Sequence, residues 1–192
     1  MHLKPEMRIL GIDDSPLISD RILVVGVVMR GEDWLDGVIS AFIEKDGNDS
    51  TEKLSLLINS TKHYGQIRVV MLNGVTFGGF NVVDIKALHE AIGIPVISVM
   101  RRFPDMDSIR AALDNLSEPD RRFKAILNAG EITEVRTKWQ GGPVYIQCKG
   151  IEKSDAAKIS AGCAVHSRIP EPLRVAHLIA TGIVLGESSK RA

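Results

Sequence analysis

The stretch RILGIDDSPL, residues 8–17, decides the fold, because a strand-forming run leads there directly into two adjacent carboxylates. Apolar side chains up to residue 12 suit a buried strand, and the Ser-Pro pair ends it. Asp-Ser-Pro is also a common turn sequence. Asp13 and Asp14 therefore have two interpretations: residues that begin a turn, or ligands that hold a metal ion at a strand end. Because side chains alternate along a strand, the two should not both face one ion if the strand continues through them.

Composition limits what the chain can be. Its 192 residues, 44% of them hydrophobic, can bury one substantial core, and we expect a single domain over residues 1–192. Twenty-four basic residues balance 24 acidic ones, which argues against a broad field for nucleic acid but is compatible with a local basic groove. Cys148 and Cys163 lack metal-ligand spacing, as is typical of reduced cysteines in a cytoplasmic protein. No apolar run would span a membrane, and MHLKPEMRIL lacks the apolar region of a signal peptide.

Turn residues divide the first half of the chain into short apolar segments. Three strands of an antiparallel meander are predicted first, followed by a helix near Thr51 that Asp49 or Ser50 can cap. A buried strand, a helix ended by Gly93 and another strand come next, and this order indicates a parallel crossover unit. The strands and the second helix are MRILGID, RILVVGVVM, GVISAFIEKDG, IRVVML, FNVVDIKALHEAI and IPVISVM.

The second half of the chain alternates between helical and strand-like patterns. Two helices are predicted in MDSIRAALDNL and EPDRRFKAILNAG, and EITEVRTKW and PVYIQCKG flank QGG as a hairpin. Two further helices are predicted at residues 153–166 and 171–185. The whole order predicts an α/β fold: a mixed sheet, with a three-strand antiparallel meander plus parallel strands, covered by helices.

A longer match relates this order to a family. GPVYIQCKGIEKSDAAKISAGCAVHSRIPEPLRVAHLI, residues 142–179, resembles the carboxyl-terminal part of endonuclease V, which has a ribonuclease H-like fold and a segment of the form R-[IL]-P-E-P-x-R-x-A. GID at residues 11–13 is similar to the first-strand G-[VI]-D of that family, and VVMLNG at 69–74 is similar to a strand ending in D-G. The resemblance covers most of the chain and is closest to a mainly archaeal branch in which a DG-T-GGFNVVD-like stretch recurs.

The resemblance implies a divalent-metal site, because endonuclease V holds cations on carboxylates of adjacent strands. Oxygen ligands of this kind suit Mg²⁺, and Mn²⁺ can replace it. Asp13 falls on the first-strand aspartate of the family, which leaves Asp14 to the turn or to an outer position. The second aspartate falls on Asn73, whose amide carries no charge, so the implied metal ligands Asp13 and Asn73 form a weak site. Asn-Gly is also a strong turn sequence.

The third acidic position of the family has three candidates. Local similarity of SAFIE to the family strand favours Glu44, whereas the spacing to the next helix favours Asp46 or Asp49. Alternation along the strand places Glu44 and Asp46 on one face, so both stay open. A purely structural interpretation is equally available, in which EKDGNDS is a strand-to-helix turn and Asp49 only caps the helix.

Two groups of residues border the expected site and are candidates for substrate binding. Gly74, Gly78 and Gly79 lie where the chain leaves a central strand, and glycine permits close backbone approach there. Arg101 and Arg102 follow a neighbouring parallel strand and are suited to bidentate contacts with phosphate.

Other residues fit structural or solvent-exposed roles better. Arg121 and Arg122 are expected to be solvated surface charges. The five histidines include no metal-ligand pair, and His177 lies in a segment where IPEP fixes a turn and starts a helix, so we expect a structural role for it. Two family features have no counterpart: Gly150 is not followed by histidine, and DWLDG replaces the Pro-Tyr-Ile-Pro wedge, with Trp34 as a surface residue or a base-stacking residue.

These observations favour an endonuclease V-like, nucleic-acid-associated protein that acts on DNA or RNA with a weak or incomplete divalent-metal phosphodiesterase site. If it cleaves, it is a magnesium-dependent endonuclease. The alternatives are a protein that binds nucleic acid without cleaving it, and a binding or scaffold protein for another partner; fold alone does not decide among them. The last helix, EPLRVAHLIATGIVLG, is apolar on more than one stripe, which predicts a homodimer.

Overall fold

The computed structural model describes residues 6–31 and 33–188. The first five residues of MHLKPEMRIL lie outside this range, as do both ends of the predicted domain. Within the described residues, no helix has the length and hydrophobicity needed to cross a membrane.

A seven-stranded mixed sheet forms the centre of the molecule. In space its strands follow the order β3-β2-β1-β4-β7-β9-β8, and a separate short hairpin pairs β5 with β6. The first three strands form an antiparallel meander, β4 and β7 add parallel to β1, β9 adds antiparallel to β7, and β8 adds antiparallel to β9. The predicted α/β sheet is therefore confirmed. The strands are β1 Arg8–Asp14, β2 Arg21–Arg30, β3 Trp34–Glu44, β4 Ile67–Asn73, β5 Thr76–Phe77, β6 Asn81–Val82, β7 Val96–Met100, β8 Thr133–Val135 and β9 Val144–Lys149.

Six helices cover the two faces of this sheet. The first four pack with the alternate strand side chains that include Leu10 and Val70, and the last two pack on the opposite face, over Ile9 and Val25. Burial on both faces explains why β1, β2 and β4 are almost continuously apolar. The helices are α1 Ser50–Ser60, α2 Ile85–Ile92, α3 Met106–Leu113, α4 Pro119–Asn128, α5 Lys153–Gly162 and α6 Glu171–Leu185.

Several predicted boundaries were wrong. The helix expected at residues 153–166 ends at Gly162. The helix expected from Phe80 begins only at Ile85, because the Asp84 carboxylate accepts hydrogen bonds from the backbone N–H groups of Lys86 and Ala87 and so caps the helix there. The residues before it contribute β6 instead. The third strand begins at Trp34 rather than Gly37, so the segment that replaces the family wedge is part of the sheet.

Helix α6 lies directly on β1. A side chain on Gly11 would come within 2.5 Å of the Cβ and carbonyl oxygen of Pro172, so only glycine permits this approach. The carboxylate of Glu171 accepts hydrogen bonds from Arg174, at 2.8 and 2.5 Å, and lies 3.2 Å from Nδ1 of His166. Burial alone would raise the pKa of Glu171, but these hydrogen bonds outweigh it and hold the pKa below its ordinary value. The G-[VI]-D and R-[IL]-P-E-P motifs therefore meet in one contact.

Candidate active site at the carboxyl end of the central strands

Asp13 and Asn73 meet at the carboxyl ends of two adjacent parallel strands. Nδ2 of Asn73 donates to Oδ1 of Asp13 at 3.0 Å, and the Asp13 side chain is almost completely buried. An ionised carboxylate only accepts hydrogen bonds, so the amide presents its nitrogen to Asp13 and not its oxygen. In this arrangement Asn73 positions Asp13, and it would have to rotate its amide to offer an oxygen to a cation.

His177 completes the contacts of Asp13, and sequence reasoning missed it. Its Nδ1 lies 2.9 Å from Oδ2 of Asp13, and because a carboxylate only accepts, Nδ1 is the donor when the ring is neutral. Nε2 is then a bare acceptor, and it is buried without a partner among the described residues. The spacing could have revealed this contact. Gly11 to Asp13 spans roughly 6.6 Å of strand and Pro172 to His177 roughly 7.5 Å of helix, so two elements in contact at Gly11 meet again at Asp13.

Asp14 points to the other face of the sheet, as strand alternation predicts. Its Oδ2 accepts a hydrogen bond of 2.7 Å from the backbone N–H of Gly78. Burial and then repulsion from the Asp13 carboxylate raise the pKa of Asp14 to about 7, against the opposing effect of the Gly78 hydrogen bond. A side-chain hydrogen-bond interaction with Asp13 raises the pKa of Asp14 further, so the two carboxylates are close neighbours although Gly78 holds one and Asn73 and His177 hold the other.

The three candidates for the third acidic position lie away from Asp13. Oδ1 of Asp46 accepts from the backbone N–H of Phe80 at 2.8 Å. Asp49 occupies the cap position of α1 without capping it, because its Oδ1 accepts from Nδ2 of Asn81 at 2.6 Å and from the backbone N–H of Glu44 at 3.2 Å. Both carboxylates thus join the strand-to-helix turn to the β5–β6 hairpin.

Glu44 is exposed and lies on the same face of the sheet as Asp13. The register, however, places it two strands away and four residues beyond Ser40, which is level with Asp13. This corresponds to roughly 16 Å between Cα atoms. The structure therefore does not bring Glu44 to Asp13 in the conformation described.

Arg122 is buried, which corrects the expectation of a solvated charge. All five of its N–H donors are used: its guanidinium donates to the carbonyl oxygens of Asp46, Gly47, Phe80 and Ser117 and to the Ser117 hydroxyl, at 2.5–3.3 Å. Among the described residues the guanidinium has no carboxylate partner, and the carbonyl dipoles replace the hydration that it loses on burial. Arg121 is exposed and pairs with Glu118 at 3.1 Å.

The glycines predicted to bind substrate have different surroundings. Gly78 and Gly79 have φ angles of +53° and +89°, and the space beside Gly79 that a side chain would occupy is filled by the carboxylate of Asp46. Gly74, with φ of +86°, has open space where a side chain would lie. Of the three, Gly74 therefore leaves the most room for a ligand.

The two arginines after β7 stand at the same sheet end as Asp13. Burial and repulsion from Arg168 lower the pKa of Arg101, and attraction to the Asp13 carboxylate opposes this shift. Arg101 is half-buried and Arg102 is exposed. A phosphate at this edge would therefore meet a cation within electrostatic reach of Asp13.

Two residues compared with family features lie at the opposite end of the sheet. Trp34 pairs with Arg30, which pairs with Arg8 at the start of β1, so it is remote from Asp13 and cannot stack a base there. Gly150 follows Lys149, which pairs with Val96 at the start of β7. Neither residue belongs to the candidate site.

The donor set around Asp13 fits a hard cation only weakly. Asp13 supplies one negative charge, while Asn73 and a neutral His177 supply none. Within residues 6–31 and 33–188, no three histidine, cysteine, aspartate or glutamate side chains form a group that could hold a metal ion. A cation here would depend on Asp13, a rotated Asn73 amide and water.

Known proteins similar to this chain share its whole length. A UPF0215 protein of Methanosarcina acetivorans is 53% identical over 191 residues, which cover 100% of this chain and 97% of the relative. A crystal structure of an Archaeoglobus fulgidus protein is 38% identical, with a TM-score of 0.84, and the match covers 92% of this chain and 98% of that one.

Endonuclease V shares the fold at lower identity. The Ciona intestinalis enzyme, solved with a 24mer DNA containing an inosine followed by a ribo-adenosine, is 16% identical with a TM-score of 0.60, over 92% of this chain and 85% of that one. This likeness confirms the endonuclease V-like, ribonuclease H-like fold. The family model described as Endonuclease dU matches residues 5–184. The chain therefore belongs to the endonuclease dU family.

Proposed function

We propose that this protein is a nucleic-acid endonuclease with a slow site centred on Asp13 that binds its divalent metal ion weakly. One observation carries the proposal: a buried carboxylate at the carboxyl ends of parallel strands contacts His177 and Asn73. Ligand sites of open α/β sheets form at such strand ends. The family description and the inosine-containing DNA in the Ciona complex support a strand carrying a deaminated base, uracil or hypoxanthine, as the substrate.

Each residue of the site has a separate role in phosphodiester hydrolysis. Asp13 accepts from Nδ1 of His177 and so fixes the tautomer in which Nε2 is an acceptor. Nε2 is buried in the conformation described, so the site must open for it to take a proton from an attacking water. Arg101 offers positive charge to the phosphate oxygens on which negative charge develops. A Mg²⁺ or Mn²⁺ ion held by Asp13 and Asn73 would lower the pKa of a bound water and stabilise the departing oxygen.

Binding without cleavage is the second candidate, and Asn73 specifically favours it. Both oxygens of Asp13 already accept hydrogen bonds, Oδ1 from Asn73 and from the backbone N–H of Asp14, and Oδ2 from His177. The Asp13 carboxylate is thus satisfied by the protein itself, and an amide replaces the second carboxylate that would concentrate a divalent cation. A binding or scaffold role for another partner has no such observation in its favour.

Nicking of labelled oligonucleotides tests the proposal. Single- and double-stranded DNA with one deoxyuridine or deoxyinosine, the same strands without it, and matching RNA are incubated with Mn²⁺, Mg²⁺ or EDTA. We expect slow nicking at the modified base that EDTA abolishes, a loss of about 100-fold or more in Asp13→Asn and about 100-fold in His177→Gln. Asp33→Asn, the same change at an exposed residue beyond the far sheet end, is the control.

Each outcome of this assay selects one candidate. Nicking that persists in Asp13→Asn would overturn the site assignment. Binding by fluorescence anisotropy without any nicking would establish the second candidate, and neither binding nor nicking would leave the scaffold interpretation.

A homodimer is part of the same proposal. Helix α6 buries Leu173, Ala176 and Ala180 against the sheet but leaves Ile183 66% exposed and Leu185 44% exposed. These apolar residues at the carboxyl end of α6 support a second copy as partner. Light scattering at micromolar concentration is expected to give twice the mass of the chain, and a monomeric mass would contradict the dimer.

A further inference from the structure

An exposed aromatic pair borders the candidate site. Phe103 is 63% exposed, and its ring meets that of Tyr145 edge-on, with centroids 5.5 Å apart and planes at 85°. An edge-to-face contact holds a ring in place and leaves a flat face uncovered. Phe103 comes two residues after Arg101, and Pro104 follows it directly, which restricts its backbone.

The sheet topology places this pair on the same sheet end as Asp13. Tyr145 is the second residue of β9 and pairs with Met100 at the carboxyl end of β7, and β7 lies beside β4, the strand of Asn73. Its neighbour Ile146 packs on the Asp13 face, so Tyr145 points to the opposite face of the same sheet end. From β1 to β9 is three strand spacings, roughly 14 Å. An unpaired strand is more extended than the roughly 3.4 Å per nucleotide of a duplex strand, so that distance corresponds to at most about four nucleotides. A nucleic-acid strand that passes Asp13 and continues over this sheet end towards the opposite face would therefore reach the aromatic pair.

Cations accompany the aromatic pair, although the chain as a whole is neutral. Arg101 and Arg102 precede Phe103, and Arg168 is close enough to Arg101 to lower its pKa. Arg168 donates to the carbonyl oxygen of Gly141 in the loop that joins β8 to β9, and Lys138 is exposed in the same loop. Positive charge interleaved with an exposed ring matches a backbone of phosphates that carries flat bases.

We infer that Phe103, braced by Tyr145, is a stacking platform for an unpaired base of a single-stranded nucleic acid whose phosphates lie along Arg101, Arg102 and Lys138. The inference rests on the proposed function, because it takes the strand at the platform to be the one that passes Asp13. Stacking tolerates every base and requires the base to be unpaired, so the platform selects single-stranded over double-stranded segments. It also gives the chain a base contact at the site end, which Trp34 cannot provide.

Binding of labelled 12-nucleotide strands to the full chain at low salt tests the platform. We expect Phe103→Leu to weaken the binding of single-stranded DNA and RNA about tenfold and to leave duplex binding unchanged. Trp34→Leu, which removes a 60% exposed ring at the opposite sheet end, is the matched control and should bind like the unaltered chain. Because Phe103 is exposed, the urea unfolding midpoint should not move in Phe103→Leu.

Two further measurements separate stacking from charge. A strand with abasic sites should bind the unaltered chain and Phe103→Leu equally, and 2-aminopurine in a normal strand should be quenched only by the unaltered chain. Arg102→Gln should reduce the slope of log K against log salt by about one, whereas Phe103→Leu should leave that slope unchanged. Equal affinity of both proteins for the normal strands, or no binding of single strands at all, would overturn the platform.

Failure of the platform is distinguishable from failure of the proposed function. If Phe103 is needed for binding but no strand is nicked, the platform stands and cleavage is lost as a function. If modified strands are nicked and Phe103→Leu neither binds nor cleaves them differently, cleavage stands and the platform is wrong.

Discussion

The two sides of the sheet end contrast sharply, although Asp13 and Asp14 are neighbours in sequence. On the Asp14 side, the carboxylate meets a backbone N–H, and Arg122 uses all five donors on surrounding oxygens. On the Asp13 side, Nε2 of His177 is buried without a partner within the described residues. A buried polar group without a partner needs an explanation, and at a strand end a role in chemistry is one such explanation. The difference shows which half of the carboxylate pair to test for function.

The largest expected effect comes from removing Arg122 on the Asp14 side of the sheet end. Replacing Arg122 by Met removes the cation that holds four carbonyl oxygens and leaves them buried without donors. We expect a loss of about 3 to 5 kcal/mol in the free energy of unfolding, measured by urea denaturation, because each orphaned group carries a desolvation penalty. Arg121→Met changes the exposed neighbour and should cost less than about 0.5 kcal/mol. Equal losses in the two variants would mean that Arg122 does not hold this turn.

The second prediction concerns the Asp13 side, where a substitution adds negative charge. Asn73→Asp places a second carboxylate beside Asp13, and two like charges this close favour a divalent cation between them. We expect Mn²⁺ and Mg²⁺ to bind about 10- to 100-fold more tightly by calorimetry, equivalent to about 1.4 to 2.7 kcal/mol. Asn115→Asp, the same change at an exposed residue of another element, should have no effect.

Unchanged affinity in Asn73→Asp would show that cations do not bind at Asp13. Asn73 precedes a glycine and can deamidate slowly, which would mimic the variant, so the mass of the unaltered chain must be checked in the same experiment.

The smallest effect concerns Asp14 and depends on pH. Its pKa rises from 3.8 to about 7 on folding, so the folded chain holds the proton more tightly and is most stabilised by this group below pH 3.8. That stabilisation is lost as pH rises towards 7. Asp14→Asn keeps an acceptor for the backbone N–H of Gly78 without the charge. At pH 8 we expect this variant to be more stable than the unaltered chain by about 1 to 2 kcal/mol. The full pKa shift would correspond to roughly 4 kcal/mol, and the effect is smaller because the carboxylate is only partly buried.

Urea denaturation at pH 4, 6 and 8 measures this difference, which should shrink to nothing at pH 4. A difference that is independent of pH would show that Asp14 is already ionised throughout and that its environment resembles that of Asp13.

The sheet could be predicted from the sequence because strands and turns each leave a local pattern of residues. Apolar runs and turn residues were enough for the meander and the parallel additions, and the resemblance to endonuclease V implied the meeting of Asp13 with Asn73. Helix boundaries failed where a cap competed with the apolar pattern, as at Asp84. His177 and Arg122 were misjudged for a different reason. Their roles come from partners 164 and up to 76 residues away, and no local pattern records such distances.

The contact between Gly11 and Pro172 determines when the Asp13 site can form during synthesis of the chain. The first strand leaves the ribosome long before α6, and Asp13 must wait for His177, 164 residues later in the chain. Contacts of such long sequence separation form late, because the loop they close is large. A nascent chain therefore carries the carboxylate without its histidine, and activity that depends on the pair would begin only when the last helix has docked. Such a chain could not cut nucleic acid while it is still being made.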